Sequence, residues 1–319
     1  YKIIVTIVAK DVLGNRLSSQ YDHAYDVTTP YYHSSSPSSG FFVAVGADGK
    51  TVRSINNGTS WDNETCTMFN TDLYGVTSDN NTVVAVGEDG KILRSIDNAS
   101  SFSTVSPYYA DDSWGATFGN NKFVGVSNSG RTGRSINDGS SFSLYNTSQN
   151  FNIRGVAFGN NKFIAVGENT NGRILTFDGA SWSYSTYNNN RNYLYGVTYG
   201  NNKFVAVGRY GRTRKSTNND GVSWSYSTSV NSTDLNGVAF GNNTFVAVGG
   251  SGKIVTSSNG SSWYLKSTPI TSELKGVAFG NSTFVAVGVG GKILISTDDG
   301  ENWSDVTSPI TTDLNGVTF

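Results

Sequence analysis

A strand of the form Phe/Val-Val-Ala-Val-Gly recurs through this chain, and its spacing restricts the fold more than any other feature. It ends at Gly46, Gly87, Gly167, Gly208, Gly249 and Gly288, with a variant at Phe123-Val124-Gly125-Val126-Ser127. The seven copies lie 39 to 41 residues apart, a period that marks an array of small stacked units rather than one continuous core. A second short strand of the Gly-Val-Ala/Thr-Phe type starts at Gly75, Gly115, Gly155, Gly196, Gly237 and Gly276. A Gly-Asn-Asn or Gly-Asn-Ser turn separates the two, and such residues tolerate the positive φ of a tight hairpin. A further turn closing on Gly-Lys or Gly-Arg leads to a third strand, such as Lys292-Ile293-Leu294-Ile295-Ser296. A polar loop then ends in an aromatic, at Trp61, Phe102, Phe142, Trp182, Trp224, Trp263 or Trp303. A fourth, more polar strand completes a four-stranded antiparallel meander with no helical periodicity.

The first two strands of each unit are apolar at consecutive positions, so both of their faces are expected to be buried. Sheets arranged radially around a channel meet that demand, because each is covered by its neighbours and only the outer strands meet solvent. The expected fold is all-β, a seven-bladed β-propeller spanning 40–319. The first copy has no Gly-Val-Ala-Phe strand before it; Ser34-Ser35-Ser36-Pro37-Ser38-Ser39-Gly40 stands there instead. The orphan strand is Gly316-Val317-Thr318-Phe319, which is expected to close the ring as the innermost strand of the first blade and to remove two open sheet edges.

The loop before each aromatic resembles the Asp-box, Ser/Thr-x-Asp-x-Gly-x-x-Trp/Phe, of bacterial-neuraminidase-type repeats. Ser296-Thr297-Asp298-Asp299-Gly300-Glu301-Asn302-Trp303 fits every position, and Ser95 to Phe102 keeps Asp97 with Ala99 in place of Gly. The other loops carry Asn56, Asn137, Asn219 or Ser258 at the acidic position, the last two in loops read as Thr217 to Trp224 and Thr256 to Trp263. The copy at Asp178-Gly179-Ala180-Ser181-Trp182 is one residue short. In this family the motif is a structural turn shared by sialidases, lectins and the photosystem II assembly factor. The resemblance therefore implies a propeller, and a structural role for Asp97, Asp298, Gly300 and Trp303. Residues 1–29 are similar to the last two strands of a bacterial Ig-like domain of the S-layer and surface-protein kind. Ile3, Val5 and Ile7 alternate, Asp11-Val12-Leu13-Gly14-Asn15 makes a turn, and Tyr21, His23, Tyr25 and Val27 alternate again. Residues 30–39 read as a linker, and the chain's opening at Tyr1 inside a strand-like run implies a longer precursor.

Chemistry-bearing constellations are scarce. The 23 basic and 24 acidic residues show no basic block, which argues against nucleic-acid binding. No apolar run approaches the ~20 residues of a membrane span. Cys66 is the one cysteine, and the two histidines, His23 and His33, lie outside the repeats, so no metal site and no cofactor is expected. A sialidase would need an arginine triad on a six-bladed ring. Here Arg53, Arg94 and Arg134 recur because they occupy equivalent places in their third strands. No catalytic residue is expected, and the chain reads as a non-enzyme.

The residues that break the repeat carry the functional reading. The residue before each Gly-Val-Ala-Phe strand is expected to ring the channel mouth: Tyr74, Trp114, Arg154, Tyr195, Asn236, Lys275 and Asn315. Tyr108, Tyr109, Tyr193, Arg209 and Tyr210 are expected to join them on the same face. Aromatic rings with neighbouring arginines suit a glycan or a protein partner. The ligand site is accordingly read as Tyr108, Tyr109, Trp114, Arg154, Tyr193, Tyr195, Arg209 and Tyr210. Only 15% of residues are charged, below the ~25% of ordinary soluble domains, and Gly, Ser, Thr, Asn and Tyr supply the polarity. The expected function is an extracellular or cell-surface module for adhesion, assembly or display. Its partner would be a glycan or another surface protein, and its N-terminal strands could support self-assembly. A propeller lectin is the alternative, and a sialidase-like hydrolase ranks below both.

Overall fold

The computed structural model describes residues 40–63, 70–107, 109–147, 150–169, 174–178, 181–184, 192–227 and 232–319. The Ig-like strands expected at 1–29, the linker at 30–39 and Cys66 lie outside the described residues.

The Asn-rich turns do what their sequence asks. Asn242 and Asn243 take φ of 44° and 61°, reversing the chain between Leu235–Gly241 and Thr244–Gly249, which pair with Phe240 opposite Phe245. The same meander recurs along the chain as four-stranded antiparallel sheets at 73–105, 113–146, 235–266 and 274–306. Those at 152–184 and 192–227 are joined into one eight-stranded sheet, because Lys162–Asn169 runs on to pair Glu168 with Tyr193 of the next unit. The fold is a β-propeller.

The C-terminal strand Leu314–Thr318 lies beside Phe42–Gly46, with Ala44 opposite Val317. The sheet order is Thr51–Ser54, then Phe42–Gly46, then Leu314–Thr318. Here the fourth strand is reduced, among the described residues, to a single bridge between Arg53 and Asp62. The first and last strands among the described residues therefore share one blade.

Burial follows the radial order with one difference from the sequence reading. The most buried strand is the second, not the innermost: Phe245, Val246, Ala247 and Val248 are fully buried, whereas Lys275 to Phe279 are half-exposed because they border the channel. Alternate residues of the second strand serve opposite interfaces. Phe245 and Ala247 pack with Val205 and Val207 of the blade before, and Val246 and Val248 with Leu274, Phe284 and Ala286 of the blade after. Each such Val or Phe contributes about 1.5–3 kcal/mol by leaving water.

The innermost strands meet backbone to backbone. A Cβ on Gly75 would stand 2.8 Å from the Cα of Gly115, and one on Gly155 would stand 2.6 Å from the carbonyl oxygen of Tyr195. The contacts run from Gly75 to Gly115, Gly155, Gly196, Gly237, Gly276 and Gly316, and Gly316 returns to Gly75. At the other end, five of these strands seat an aromatic on a neighbour's glycine: Phe158 on Gly119, Tyr199 on Gly159, Phe240 on Gly200, Phe279 on Gly241 and Phe319 on Gly280.

The Ser-x-Asp-x-Gly loops wedge neighbouring blades together. In the 296–303 loop, Ser296 Oγ donates to Asp298 Oδ1 at 2.8 Å and accepts from the Gly300 amide at 3.0 Å. Asn302 donates to Asp298 through both its amide and its side chain. These bonds, the Asn302 amide first, hold the Asp298 carboxyl below its ordinary pKa. Gly300, at φ +86°, lies against Val246 and Thr256 of the preceding blade. Arg53 and Arg94 reach from their third strands to the next blade's loop, at the Asn98 carbonyl (3.1 Å) and Asp138 Oδ2 (2.7 Å).

Two loops depart from the sequence alignment. The Thr256 reading is one residue out: Ser257 accepts from the Gly260 amide, and Asn259 takes the place of the aspartate. In the 217–224 loop an inserted residue gives the acceptor role to Asp220, which receives the Val222 amide at 2.8 Å, rather than to Asn219. The shortened loop has a consequence. Trp61, Trp224 and Trp303 donate their indole N–H to Gly58, Gly221 and Gly300 carbonyls, but the buried Trp263 N–H has no acceptor among the described residues.

Two predictions follow from this packing. Gly155→Ala should cost about 1–3 kcal/mol by overpacking. Gly250→Ala, whose Cβ would meet nothing closer than 3.7 Å, should stay within about 0.5 kcal/mol. Equal urea midpoints for the two variants would remove the glycine ring as a constraint. Trp303→Phe breaks a buried hydrogen bond and strands a carbonyl, while Trp263→Phe removes a donor that was already alone. Their unfolding free energies should differ by about 1 kcal/mol or more, with Trp303→Phe the less stable.

Candidate functional site

A register shift sits at the start of every innermost strand. Leu235 pairs with Gly249, and Gly237 with Val248, which leaves Asn236 as the extra residue of a β-bulge. The same shift frees Tyr74, Trp114, Arg154, Tyr195, Lys275 and Asn315. A bulge bends the strand and re-aims the side chain at the break. The glycine across from it makes room: a Cβ on Gly249 would fall 2.0 Å from the Asp234 carbonyl oxygen.

These bulge residues converge. All seven line one cavity of about 390 Å³, together with Glu168, Asp234 and Glu273. Of the residues read from sequence as a ligand site, Trp114, Arg154 and Tyr195 border this cavity, and Tyr108 lies outside the described residues. Tyr109 does not line it; its ring carries the Arg131 guanidinium at 3.4 Å. Arg209, on the 3-10 turn Arg209–Gly211, stands over Tyr193 at 5.3 Å and Tyr210 at 4.7 Å. These three also stand apart from the cavity lining.

The wall is a column of stacked groups. Tyr74 lies 4.3 Å from Trp114 at an interplanar angle of 17°, and the Arg154 guanidinium carbon lies 3.6 Å from the Trp114 ring. The order of strands around the channel puts Tyr74 on one side of the indole and Arg154 on the other. The Trp114 N–H donates to Asn128 Oδ1 at 2.7 Å. Trp114 thus has both faces covered and its polar edge engaged, so it is a strut rather than a free stacking platform. Glu168 fixes Arg154 through Nε at 2.9 Å and Nη2 at 2.8 Å.

The far wall is a chain of hydrogen bonds from blade to blade. Asn236 Nδ2 donates to Glu273 Oε1 and to the Leu274 carbonyl, both at 2.8 Å. Lys275 Nζ donates to Asp313 Oδ2 at 2.8 Å and Asn315 Oδ1 at 2.9 Å. Asn315 Nδ2 reaches the Leu73 carbonyl at 2.8 Å, across the closure. The phenols of Tyr74 and Tyr195 are pushed up to about 12, in both cases first by burial and then by nearby carboxylates, Asp72 for Tyr74 and Asp234 for Tyr195. Both are neutral at physiological pH.

Sequence reasoning missed the three acidic lining residues, although a signal for one class of them exists. An acid stands three positions before the glycine at Asp72, Asp112, Asp234, Glu273 and Asp313. Four of them staple a neighbouring turn: Asp72, Asp112, Asp234 and Asp313 accept from the amides of Asp48, Asp89, Tyr210 and Gly290 at 2.8–3.2 Å. Tyr193 breaks that pattern where the Glu168–Tyr193 ladder joins two blades instead.

No family model matches the sequence, and no curated protein matches it. Among solved structures the chain is similar to one titled "YCF48 bound to D1 peptide", at 17% identity and a TM-score of 0.66, covering 82% of this chain and 93% of that one. It is also similar to YCF48 from Cyanidioschyzon merolae, at 18% identity and a TM-score of 0.62, covering 79% and 89%. At such identities the likeness shows the propeller fold and nothing finer.

The strut role of Trp114 is testable without a ligand. Trp114→Ala removes an aromatic stack and a cation–π contact and should destabilise the protein by about 2 kcal/mol. A melting curve unchanged by this substitution would show that the column bears no load.

Proposed function

We propose that this chain is a seven-bladed propeller that binds a segment of a partner protein at its channel mouth and carries out no reaction. The blade number is supported by the closed succession of glycine contacts from Gly75 through Gly316 and back. The binding reading is carried by one observation: the repeats differ at their bulge residues, and all seven of these line one cavity. A neighbour of the same fold was solved with a peptide bound, which supports the choice of a peptide segment as ligand. The Ser-x-Asp-x-Gly loops are read as Asp-boxes with a structural duty. Arg53 and Arg94 bind neighbouring loops, which supports a structural rather than a catalytic role for the recurring arginines.

The lectin alternative loses ground because Trp114, its best platform, is covered on both faces. Placement on a cell surface, with residues 1–29 as Ig-like strands, rests on the low charge and the sequence pattern; protease treatment of intact source cells checks it.

Peptides selected from a displayed library against the whole chain should slow hydrogen exchange at 192–200 and 274–280. Tyr195→Ala should weaken them by about 1–2 kcal/mol, as for interface aromatics. Selected peptides that instead protect the loops at 54–61 and 296–303 would overturn the assignment.

A further inference from the structure

Resting on that reading, we infer that the channel mouth receives an arginine side chain presented by the partner. Each nitrogen donor group around the cavity has an internal partner: Arg154 with Glu168, Lys275 with Asp313 and Asn315, Asn236 Nδ2 with Glu273 and Leu274, Asn315 Nδ2 with Leu73, and the Trp114 N–H with Asn128.

Its acceptors are not all engaged. Asp234 uses Oδ1 for the Tyr210 amide, and Glu273 uses Oε1 for Asn236. Among the described residues, Asp234 Oδ2, Glu273 Oε2 and Asn236 Oδ1 accept no hydrogen bond, and the neutral hydroxyls of Tyr74 and Tyr195 can donate or accept. The charge balance agrees. Arg154 is paired with Glu168 and Lys275 with Asp313, which leaves Asp234 and Glu273 as the lining carboxylates outside any ion pair, with Arg209 the further cation whose field reaches Tyr195. Burial first, and then Asp234 and Glu168, raise the Tyr195 phenol against the opposing fields of Arg209 and Arg154.

A cavity with surplus acceptors, negative charge and an aromatic wall selects a cationic donor. A neutral sugar leaves the charge unmet, and an anion adds to it. The guanidinium suits the site better than an ammonium, because its five N–H groups lie in a rigid plane that can serve several acceptors while resting on a ring face such as that of Tyr195. The acceptors come from neighbouring blades, so one such group would tie the blades at 192–227, 235–266 and 274–306 together.

The test uses three end-blocked hexapeptides that differ at one position: arginine, its neutral isostere citrulline, or glutamate. The reporter is the Trp114 indole N–H signal in a 1H–15N spectrum of the full chain, assigned by its loss in Trp114→Phe. The arginine peptide should move this signal saturably, and the citrulline peptide should bind about tenfold more weakly. Raising the salt should weaken the arginine peptide further. The double variant Asp234→Asn/Glu273→Gln keeps Oδ1 and Oε1 as acceptors, so a melting curve near that of the parent is expected. It should lose about tenfold in arginine-peptide affinity and bind citrulline unchanged. Equal binding of arginine and citrulline, a preference for glutamate, or an unaltered double variant overturns the arginine assignment while leaving the peptide reading intact. A signal that no peptide moves, combined with library peptides that bind elsewhere, overturns both.

Discussion

Seven glycine backbones touching in a circle set the terms for the rest of this molecule. Innermost strands can approach this closely only where no side chain intervenes, and a Cβ at Gly75, Gly155 or Gly316 would lie under 3.0 Å from the next strand's main chain. Because the strands meet there, each blade's second strand is pressed between two neighbours and must be apolar on both faces, as Phe245 to Val248 are. The last contact, Gly316 to Gly75, joins residues that are far apart in sequence. Closure thus depends on the C-terminal strand entering the first blade, and the hydrogen bond from Asn315 to the Leu73 carbonyl fixes its depth.

Outside the ring, the Ser-x-Asp-x-Gly loops perform the matching task at the blade periphery. A serine and a carboxylate or amide close the turn, and a glycine at positive φ lets the loop lie flat on the preceding blade. Ala99 occupies that position in one copy, at φ 60° and fully buried. There a methyl group gained for the core offsets a conformation that ordinary residues avoid at about 1–2 kcal/mol. Asn serves as well as Asp in this turn, as the Asn56 and Asn137 loops show, which is why the motif drifts among copies without loss of the fold.

Between these two fixed layers the β-bulge leaves one residue per blade outside the pairing of its own sheet. Pairing resumes at the glycine that follows, so the bulged side chain can vary from Trp to Asn to Lys with little effect on the sheet. Variation at those positions changes the chemistry of a single cavity. In this chain it builds a stacked column on one side and a hydrogen-bonded chain on the other, with cations matched to anions and two carboxylates left over.

By itself the sequence determined the repeat, the antiparallel meander, the entry of the last strand into the first blade and the identity of the residues at the channel mouth. These follow from periodicity, turn residues and apolar runs, which are local properties that reappear at each copy. Tertiary structure alone decided what those mouth residues do. Trp114 reads as an exposed ring until Tyr74 and Arg154 arrive from adjacent blades and cover both faces. Glu168 enters the cavity because one strand runs on to pair with the next blade, and the Thr256 alignment failed because a one-residue deletion is invisible where Thr and Ser stand side by side. In each case the deciding contact links residues of different blades, 25 to 40 positions apart, or depends on a loop's hydrogen bonds. The repeat specifies its own strand pairing in blade after blade, and is silent about contacts made by the residues in which its copies differ.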